Sequence, residues 1–228
     1  MGCCWGNQAD DALEAAQKLA CDGKYEEALQ KHIWYHKHAL ELDQAQYGVR
    51  LSFALTYWVD LGKKYPRALK ALREIRDDDA ARLATGERNR ELFDDIVAIN
   101  EELGDSAATV EVFKKIELVQ PTFASTVAEL ADKPLFNAKE YQLEKKYLGD
   151  PFVRFDAAKR RLDYGVQFSK ACRNASGTQQ FFEANFAQDI VRLIVVLDKS
   201  GDHSAAVKIQ ANALTLCNNA AIKDALTN

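Results

Sequence analysis

Residues 104–121 read GDSAATVEVFKKIELVQP, a stretch in which a glycine, a run of small residues, an apolar stripe and a proline follow in order. Glycine tolerates the left-handed conformation that ends a helix, and proline cannot continue one. The small residues allow the new helix to approach the preceding helix closely. The stretch therefore predicts that one helix ends near Gly104 and that a second runs over about residues 105–119. Together they form a helical hairpin.

The same sequence pattern begins at three other glycines, Gly23, Gly62 and Gly201, and each copy follows the end of an apolar run. In every copy a few polar or aromatic residues separate the glycine from a small residue that opens a new apolar stripe. Each copy predicts a helix that ends at the glycine and another that begins just after it. A helical hairpin is therefore the repeating unit of the chain.

This spacing resembles that of the tetratricopeptide repeat, whose unit is a two-helix hairpin of about 34 residues. The residues that carry the resemblance are Thr109, Phe113, Ile116 and Pro121 after Gly104, and Ala206 and Ala213 after Gly201. The copy after Gly23 has a second helix longer by about one turn, and the copy after Gly62 has no closing proline. The resemblance implies an all-α fold in which about 11–12 helices stack as hairpins in a right-handed superhelix.

The apolar pattern predicts where the helices lie. We expect a single helical-repeat domain over residues 1–228, with hairpins at about 9–43, 47–84, 87–121 and 187–220 and an irregular helical segment at 122–186. The helices are expected near 8–22, 24–42, 47–62, 66–84, 87–103, 105–119, 122–131, 136–148, 151–175, 178–199 and 202–217, with a short one from 219. Asp150 and Thr178 are predicted helix caps, and Thr109 and Ala206 are predicted packing positions.

Composition excludes several classes of protein. No segment reaches the roughly 18 uninterrupted apolar residues of a membrane span. The cysteines, at positions 3, 4, 21, 172 and 217, are odd in number and lack the spacing of a metal site. We therefore expect reduced thiols and a cytoplasmic location. The sequence also lacks the glycine-rich phosphate loop and the nucleophile elbow, so we expect no catalytic residues, no cofactor and no metal site.

Charge is unevenly distributed along the chain. Residues 1–121 carry 22 acidic and 16 basic side chains, whereas residues 122–228 carry 12 acidic and 14 basic ones. The resemblance implies a concave binding groove, and its groove positions, carried onto the first helix of each hairpin, include Asp10 and five further carboxylates. We predict that these five residues bind the partner: Asp60, Glu91, Asp94, Glu101 and Asp198.

An acidic groove indicates the kind of partner. The family's clamp for a peptide carboxylate uses lysines and asparagines, and this chain lacks them at the corresponding positions. We therefore expect a non-catalytic scaffold or adaptor that binds a basic protein partner. A more specific hypothesis is that the protein inhibits this partner, as an immunity protein does. Electrostatic complementarity would speed such an association.

A second hypothesis is an all-helical enzyme or metal-binding protein that uses His32 and His36. These histidines lie one helical turn apart, so a metal ion could bridge their imidazoles. No third ligand is evident nearby, and His32 falls on the apolar stripe of Ala28 and Tyr35, which favours a core position.

A third hypothesis is nucleic-acid binding through residues 133–173, which hold ten basic and five acidic side chains. Single-stranded nucleic acid binding needs phosphate neutralisation and aromatic stacking. The aromatic residues of this segment lie at helical spacing, however, and are expected to be core: Phe152, Phe155, Tyr164 and Phe168. A sequence pI of about 5.7 also makes nucleic acid the weaker expectation.

The chain begins Met1-Gly2-Cys3-Cys4, which is similar to the start of a dual-acylation signal. Gly6 stands where serine or threonine is usual, and the acidic flank weakens attraction to a membrane surface. We expect a disordered N-terminus without acylation.

Overall fold

The structure is a computed structural model that describes residues 8–172 and 174–227. These residues form thirteen α-helices and one 3₁₀ helix and contain no strand, which confirms the all-α fold. The expectations for the N-terminal residues 1–7 lie outside the described part. None of the described helices is long and apolar enough to cross a membrane.

The helix bounds follow the predicted positions closely. The helices are α1 (Gln8–Cys21), α2 (Tyr25–Leu42), α3 (Tyr47–Arg50), α4 (Phe53–Lys64), α5 (Pro66–Ala84), α6 (Arg90–Glu102), α7 (Ser106–Val119), α8 (Pro121–Asn137), α9 (Tyr141–Leu148), α10 (Pro151–Ser169), α11 (Ala175–Lys199), α12 (His203–Leu216) and α13 (Ala220–Asp224), with the 3₁₀ helix at Gln44–Gln46.

The chain divides into two compact units, Met1–Ala131 and Asp132–Asn228. In the first unit α1 packs on α2, α4 on α5, and α5 on α6. Its core includes Trp58, whose indole nitrogen donates to the Ala68 carbonyl oxygen at 2.9 Å. In the second unit α11 packs against α10 and α12, with Ile194 fully buried between them. The right-handed superhelix and the single repeat domain stay predictions.

Three of the four repeat glycines end helices as predicted. Gly23, Gly104 and Gly201 have φ angles of +76°, +69° and +92°, which only glycine adopts without strain. The prediction for Gly62 is wrong, because this residue lies inside α4 and the helix continues to Lys64. A Cβ atom on Gly62 would collide with the side chain of Leu69 on α5. Close approach of two helices, and not the turn, therefore requires glycine there.

Some helix boundaries differ from the prediction. A helix was expected over residues 47–62, but Leu51 and Ser52 separate α3 from α4, and Ser52 is non-helical (φ −134°, ψ −94°). A break was expected between residues 131 and 136, but α8 continues through Pro134. Ala131 and Leu135, on either side of this proline, are fully buried. Burial of these apolar side chains offsets the cost of the backbone hydrogen bond that proline removes.

The helix caps of the second unit are partly as predicted. Asp150 caps α10 by accepting from the backbone nitrogen of Phe152 at 2.8 Å. Thr178 does not cap α11; that helix begins at Ala175, and the Asn174 side chain accepts from the backbone nitrogen of Gly177 at 3.1 Å. α10 also ends at Ser169, six residues before its expected end at residue 175. The asparagine supplies the cap oxygen earlier than the threonine can.

Both predicted packing positions are confirmed by their burial. Thr109 and Ala206 are fully buried near the start of the second helix of their hairpins. The Thr109 hydroxyl also accepts a hydrogen bond from the Asn100 side chain at 3.0 Å, so its polar atom is satisfied inside the core.

Candidate binding site

The five predicted carboxylates lie in different surroundings. Asp60 is exposed on α4 and pairs with Lys63 at 2.7 Å, and Glu101 is exposed on α6. Glu91 and Asp94 lie near the start of α6. Asp198 belongs to the second unit, on α11, where its carboxylate lies 2.6 Å from the His203 Nδ1 atom. Four of the five therefore belong to the first unit, and a groove shared by all five stays a prediction.

The structure brings part of this set together around Tyr47. The Tyr47 hydroxyl donates to the Asp94 carboxylate. Burial, the bond to Asp94 and the charges of Asp94, Asp95 and Glu91 together raise the pKa of Tyr47 to about 12. These three acidic residues of α6 thus form one negative cluster beside the tyrosine ring.

One member of this cluster, Asp95, belongs to a buried ion pair that no sequence pattern indicated. The Arg50 guanidinium donates through both terminal nitrogens to the Asp95 carboxylate, with Nη2 2.5 Å from Oδ2. Its Nε atom donates to the His36 carbonyl oxygen at 2.8 Å. Arg50 and Asp95 are both buried. A bidentate pair of this kind fixes the orientation of both groups, which ties α3 to α2 and α6.

His36 completes this network in its neutral form. Its Nε2 atom lies 3.2 Å from Arg50 Nη2 and 3.6 Å from Asp95 Oδ2. Burial, and next the positive charges of Arg50 and Lys37, lower the pKa of His36 to about 3. The neutral imidazole therefore serves as a polar wall beside the ion pair at physiological pH.

A pocket of about 500 Å³ opens beside these three residues. Its apolar wall is formed by Ile33, Ala71, Ile75 and Leu92, and its polar wall by His36, Lys37, Arg50, Glu74, Asp78, Asp79, Arg82 and Asp95. A few polar groups that converge in a partly apolar concavity are typical of a binding site. This pocket is the candidate binding site of the first unit.

Asp79 is the most perturbed acid in the pocket. It is buried, and its ion-pair partner in the described part of the chain is Arg82, at 3.6 Å. That arginine donates two bonds, of 2.8 and 2.9 Å, to Glu87. Burial and then the charge of Asp95 raise the pKa of Asp79 to about 7. This carboxyl group therefore changes its charge near neutral pH.

His32, the other histidine of the metal hypothesis, faces the core. It is fully buried and its ring stacks on Trp58 with 5.5 Å between ring centres. Burial lowers the pKa of His32 to about 4, and its Nδ1 atom has no hydrogen-bond partner among the described residues. Within residues 8–172 and 174–227, no group of three or more His, Cys, Asp or Glu side chains is arranged to hold a metal ion.

The basic segment at residues 133–173 is largely paired within the second unit. Arg154 donates to Asp132, Arg161 lies 2.7 Å from Asp189, and Lys145 lies 3.0 Å from Asp202. Of the four aromatics expected in the core, Phe155 is buried. The other three were placed wrongly: Phe152 is 38% exposed, Phe168 48% and Tyr164 63%.

No family model matches this sequence, and no curated protein matches it. Its function is therefore argued from the site alone. The missed residues did leave a weak signal in the sequence, because Asp94 and Asp95 are adjacent on a helix and point in directions about 100° apart. Asp94 is half-buried and Asp95 is buried, and the arginine that pairs with Asp95 is 45 residues away in the sequence.

Proposed function

We propose that the protein is a non-catalytic binding module whose first unit holds a basic segment of a protein partner. The observation that carries the proposal is the pocket beside Arg50, in which the buried Asp79 pairs with Arg82 at 3.6 Å while that arginine donates shorter bonds to Glu87. Arg50 is bonded to Asp95 and Arg82 to Glu87, and Lys70 lies 3.5 Å from Glu74, so Lys37 is the remaining cation of the lining beside Asp78 and Asp79. A guanidinium or ammonium group from a partner would form charge-assisted hydrogen bonds with these carboxylates.

Glu91 and Asp94, beside the Arg50–Asp95 pair, add negative charge near the pocket. Asp94 is bonded to Tyr47, which precedes Arg50 by one helical turn, so the cluster and the pocket share α3 and α6. Its negative field would draw a basic segment toward the pocket. Inhibition of the partner and a cytoplasmic setting belong to this proposal; the free thiols of Cys21, Cys172 and Cys217 agree with a reducing compartment.

The test uses a capped tripeptide, Ac-Gly-Arg-Gly-NH2, titrated into the full chain and followed by backbone chemical shifts. We expect shifts at Glu74, Asp78 and Asp79, and none with Ac-Gly-Glu-Gly-NH2. Asp79→Asn should weaken binding about tenfold, because one close charge in a partly buried site is removed. The matched control, Asp163→Asn on α10, should bind as the wild type does.

Proton release gives a second readout. A bound cation favours the charged form of Asp79, so peptide binding near pH 7 should release a proton. Calorimetry in two buffers of different ionisation enthalpy measures this release, which Asp79→Asn should abolish. Equal binding of both peptides, or equal weakening by the control variant, would rule out the pocket as the site.

A further inference from the structure

The second unit carries an open groove between α10 and α11 that the function proposed above does not use. Its volume is about 760 Å³. Its floor is apolar and its rim polar: Ala157, Ala158, Leu162, Phe182 and Phe186 form the floor, and Arg160, Arg161, Tyr164, Asn185, Gln188 and Asp189 form the rim.

The sequence of α10 explains why a groove remains there. At Gly165 the two helices approach so closely that a Cβ atom would collide with the ring of Phe182. About two turns earlier, α10 presents Ala157 and Ala158, whose short side chains cannot fill the space in front of Phe186. The helices are therefore held together at one end and leave a trough at the other.

Exposed aromatic rings border this groove. Tyr164 and Phe168, one turn apart on α10, stack with 6.0 Å between ring centres and 12° between ring planes. Phe181, near the start of α11, is 61% exposed. Tyr164 lies on the rim of the groove, and Phe181 lies 5.5 Å, between ring centres, from Phe182 of its floor. Exposed apolar surface of this kind marks interaction sites. Tyrosine together with arginine is also the composition of interface hot spots.

The free charge on the rim is positive. Arg161 is neutralised by Asp189, which lies 2.7 Å away on α11, and Lys159 lies 3.7 Å from Asp163 on its own helix. Arg160 has no ion pair with any described residue. An occupant with apolar side chains on one face and a carboxylate beside them would match both the floor and this arginine.

We propose that this groove binds an amphipathic helix of a protein partner, with apolar side chains at i, i+3/i+4 and i+7 and acidic residues beside them. Helix-in-groove recognition needs an apolar trough of this kind. A nucleic-acid strand fits less well, because it needs a continuous basic track. Here Asp163 and Asp189 lie among the basic residues and would repel phosphates.

The test begins with display selection of random 16-residue peptides against the full chain. The selected peptides are then synthesised and their affinities are measured. We expect enrichment of peptides with bulky apolar residues at helical spacing and flanking Asp or Glu. The double variant Tyr164→Ser with Phe168→Ser should weaken binding of the selected peptides about tenfold or more, as loss of a hot spot does. Both residues are exposed, so the fold is retained.

Matched variants distinguish binding in this groove from non-specific hydrophobic binding. Phe53→Ser removes an aromatic that is 63% exposed on α4 and should change nothing. Arg160→Glu should weaken binding of the acidic selected peptides at least about fivefold and favour versions with Lys in place of Glu. The proposal is overturned if selection yields no helical consensus, if the consensus is basic, if Phe53→Ser has the same effect, or if a dT20 strand binds and competes for the groove.

Discussion

Buried histidines make this chain sensitive to acid at the level of single side chains. His32 is stacked on Trp58, its Nδ1 atom has no hydrogen-bond partner among the described residues, and burial lowers its pKa to about 4. In the unfolded chain a histidine takes up its proton near pH 6.5. Between these two values the unfolded state binds more protons than the folded state, so stability falls as the pH decreases from about 6.5 to about 4.

We expect the substitution His32→Phe to remove this acid sensitivity. Phenylalanine retains the ring contact with Trp58 and leaves no orphaned nitrogen, so the free energy of unfolding at pH 7 should change by less than about 1 kcal/mol. At pH 5 the variant should be more stable than the wild type by about 1–2 kcal/mol, the linkage cost that the histidine imposes. Urea unfolding at both pH values measures this; an equal difference at the two pH values would contradict it.

Glu144 has the opposite effect to His32, because it lowers stability as the pH rises. It is buried, its Oε1 atom lies 3.8 Å from Arg192 Nε, and its Oε2 atom has no hydrogen-bond partner among the described residues. Burial, and next the charge of Asp132, raise its pKa to about 8 against the opposing charges of Arg192 and Arg154. The folded state therefore holds a proton that the unfolded state loses above about pH 4.5, and this group makes stability fall as the pH rises from about 4.5 to about 8.

Glu144→Gln should therefore stabilise the protein more at alkaline than at acidic pH. Glutamine has nearly the same shape and keeps the site neutral at every pH. Relative to the wild type, its free energy of unfolding should be higher by about 1–3 kcal/mol at pH 8.5 and nearly unchanged at pH 5. Urea unfolding at the two pH values measures the difference. A Glu140→Gln variant, at the cap of α9, makes the same chemical change outside the buried site and serves as the comparison; an equal pH-dependent gain in both variants would contradict the prediction.

At the scale of helices, close contacts decide which glycines matter. Gly62→Ala should destabilise the protein by about 1–3 kcal/mol, because the added methyl group meets the Leu69 side chain where α4 packs on α5. Gly48→Ala is the matched control: it also lies in a helix, α3, with open space where the methyl group would go. The control should be neutral or stabilising by up to about 1 kcal/mol. Thermal unfolding of both variants measures the contrast, and equal effects would show that Leu69 yields to the methyl group.

The elements were largely predictable from sequence because local signals set them. Glycines with positive φ, the Asp150 cap and the apolar stripes gave the order of the helices and most of their ends. The errors arose where distant contacts decide the outcome, as at Pro134, which packing keeps inside α8, and Gly62, whose role depends on a neighbouring helix. The candidate site was less predictable. Arg50 comes from α3, Asp79 from α5 and Asp95 from α6, and no local pattern links them.

At the scale of the whole molecule, each compact unit combines an apolar core with its own buried charges. The first unit holds Arg50 and Asp95 beside His36; the second holds the buried Asp132, which accepts from the half-buried Arg154. Buried ion pairs often add little to stability relative to apolar residues of the same shape, because both charges lose their hydration. Their presence in both units is thus better explained by the specific helix arrangement they fix or by binding than by stability.

A double-mutant cycle on Arg50 and Asp95 separates these roles. Arg50→Met or Asp95→Leu alone should lower the free energy of unfolding by about 3–5 kcal/mol, because each leaves one buried charge without its partner. The double variant should cost much less than the sum of the two, since no charge is left behind. If the pair only orders the helices, the folded double variant will still bind the arginine tripeptide as the wild type does. We expect this result, because Arg50 and Asp95 neutralise each other and their joint removal leaves the net charge of the pocket unchanged; weakened binding would show that the pair itself contributes to the site.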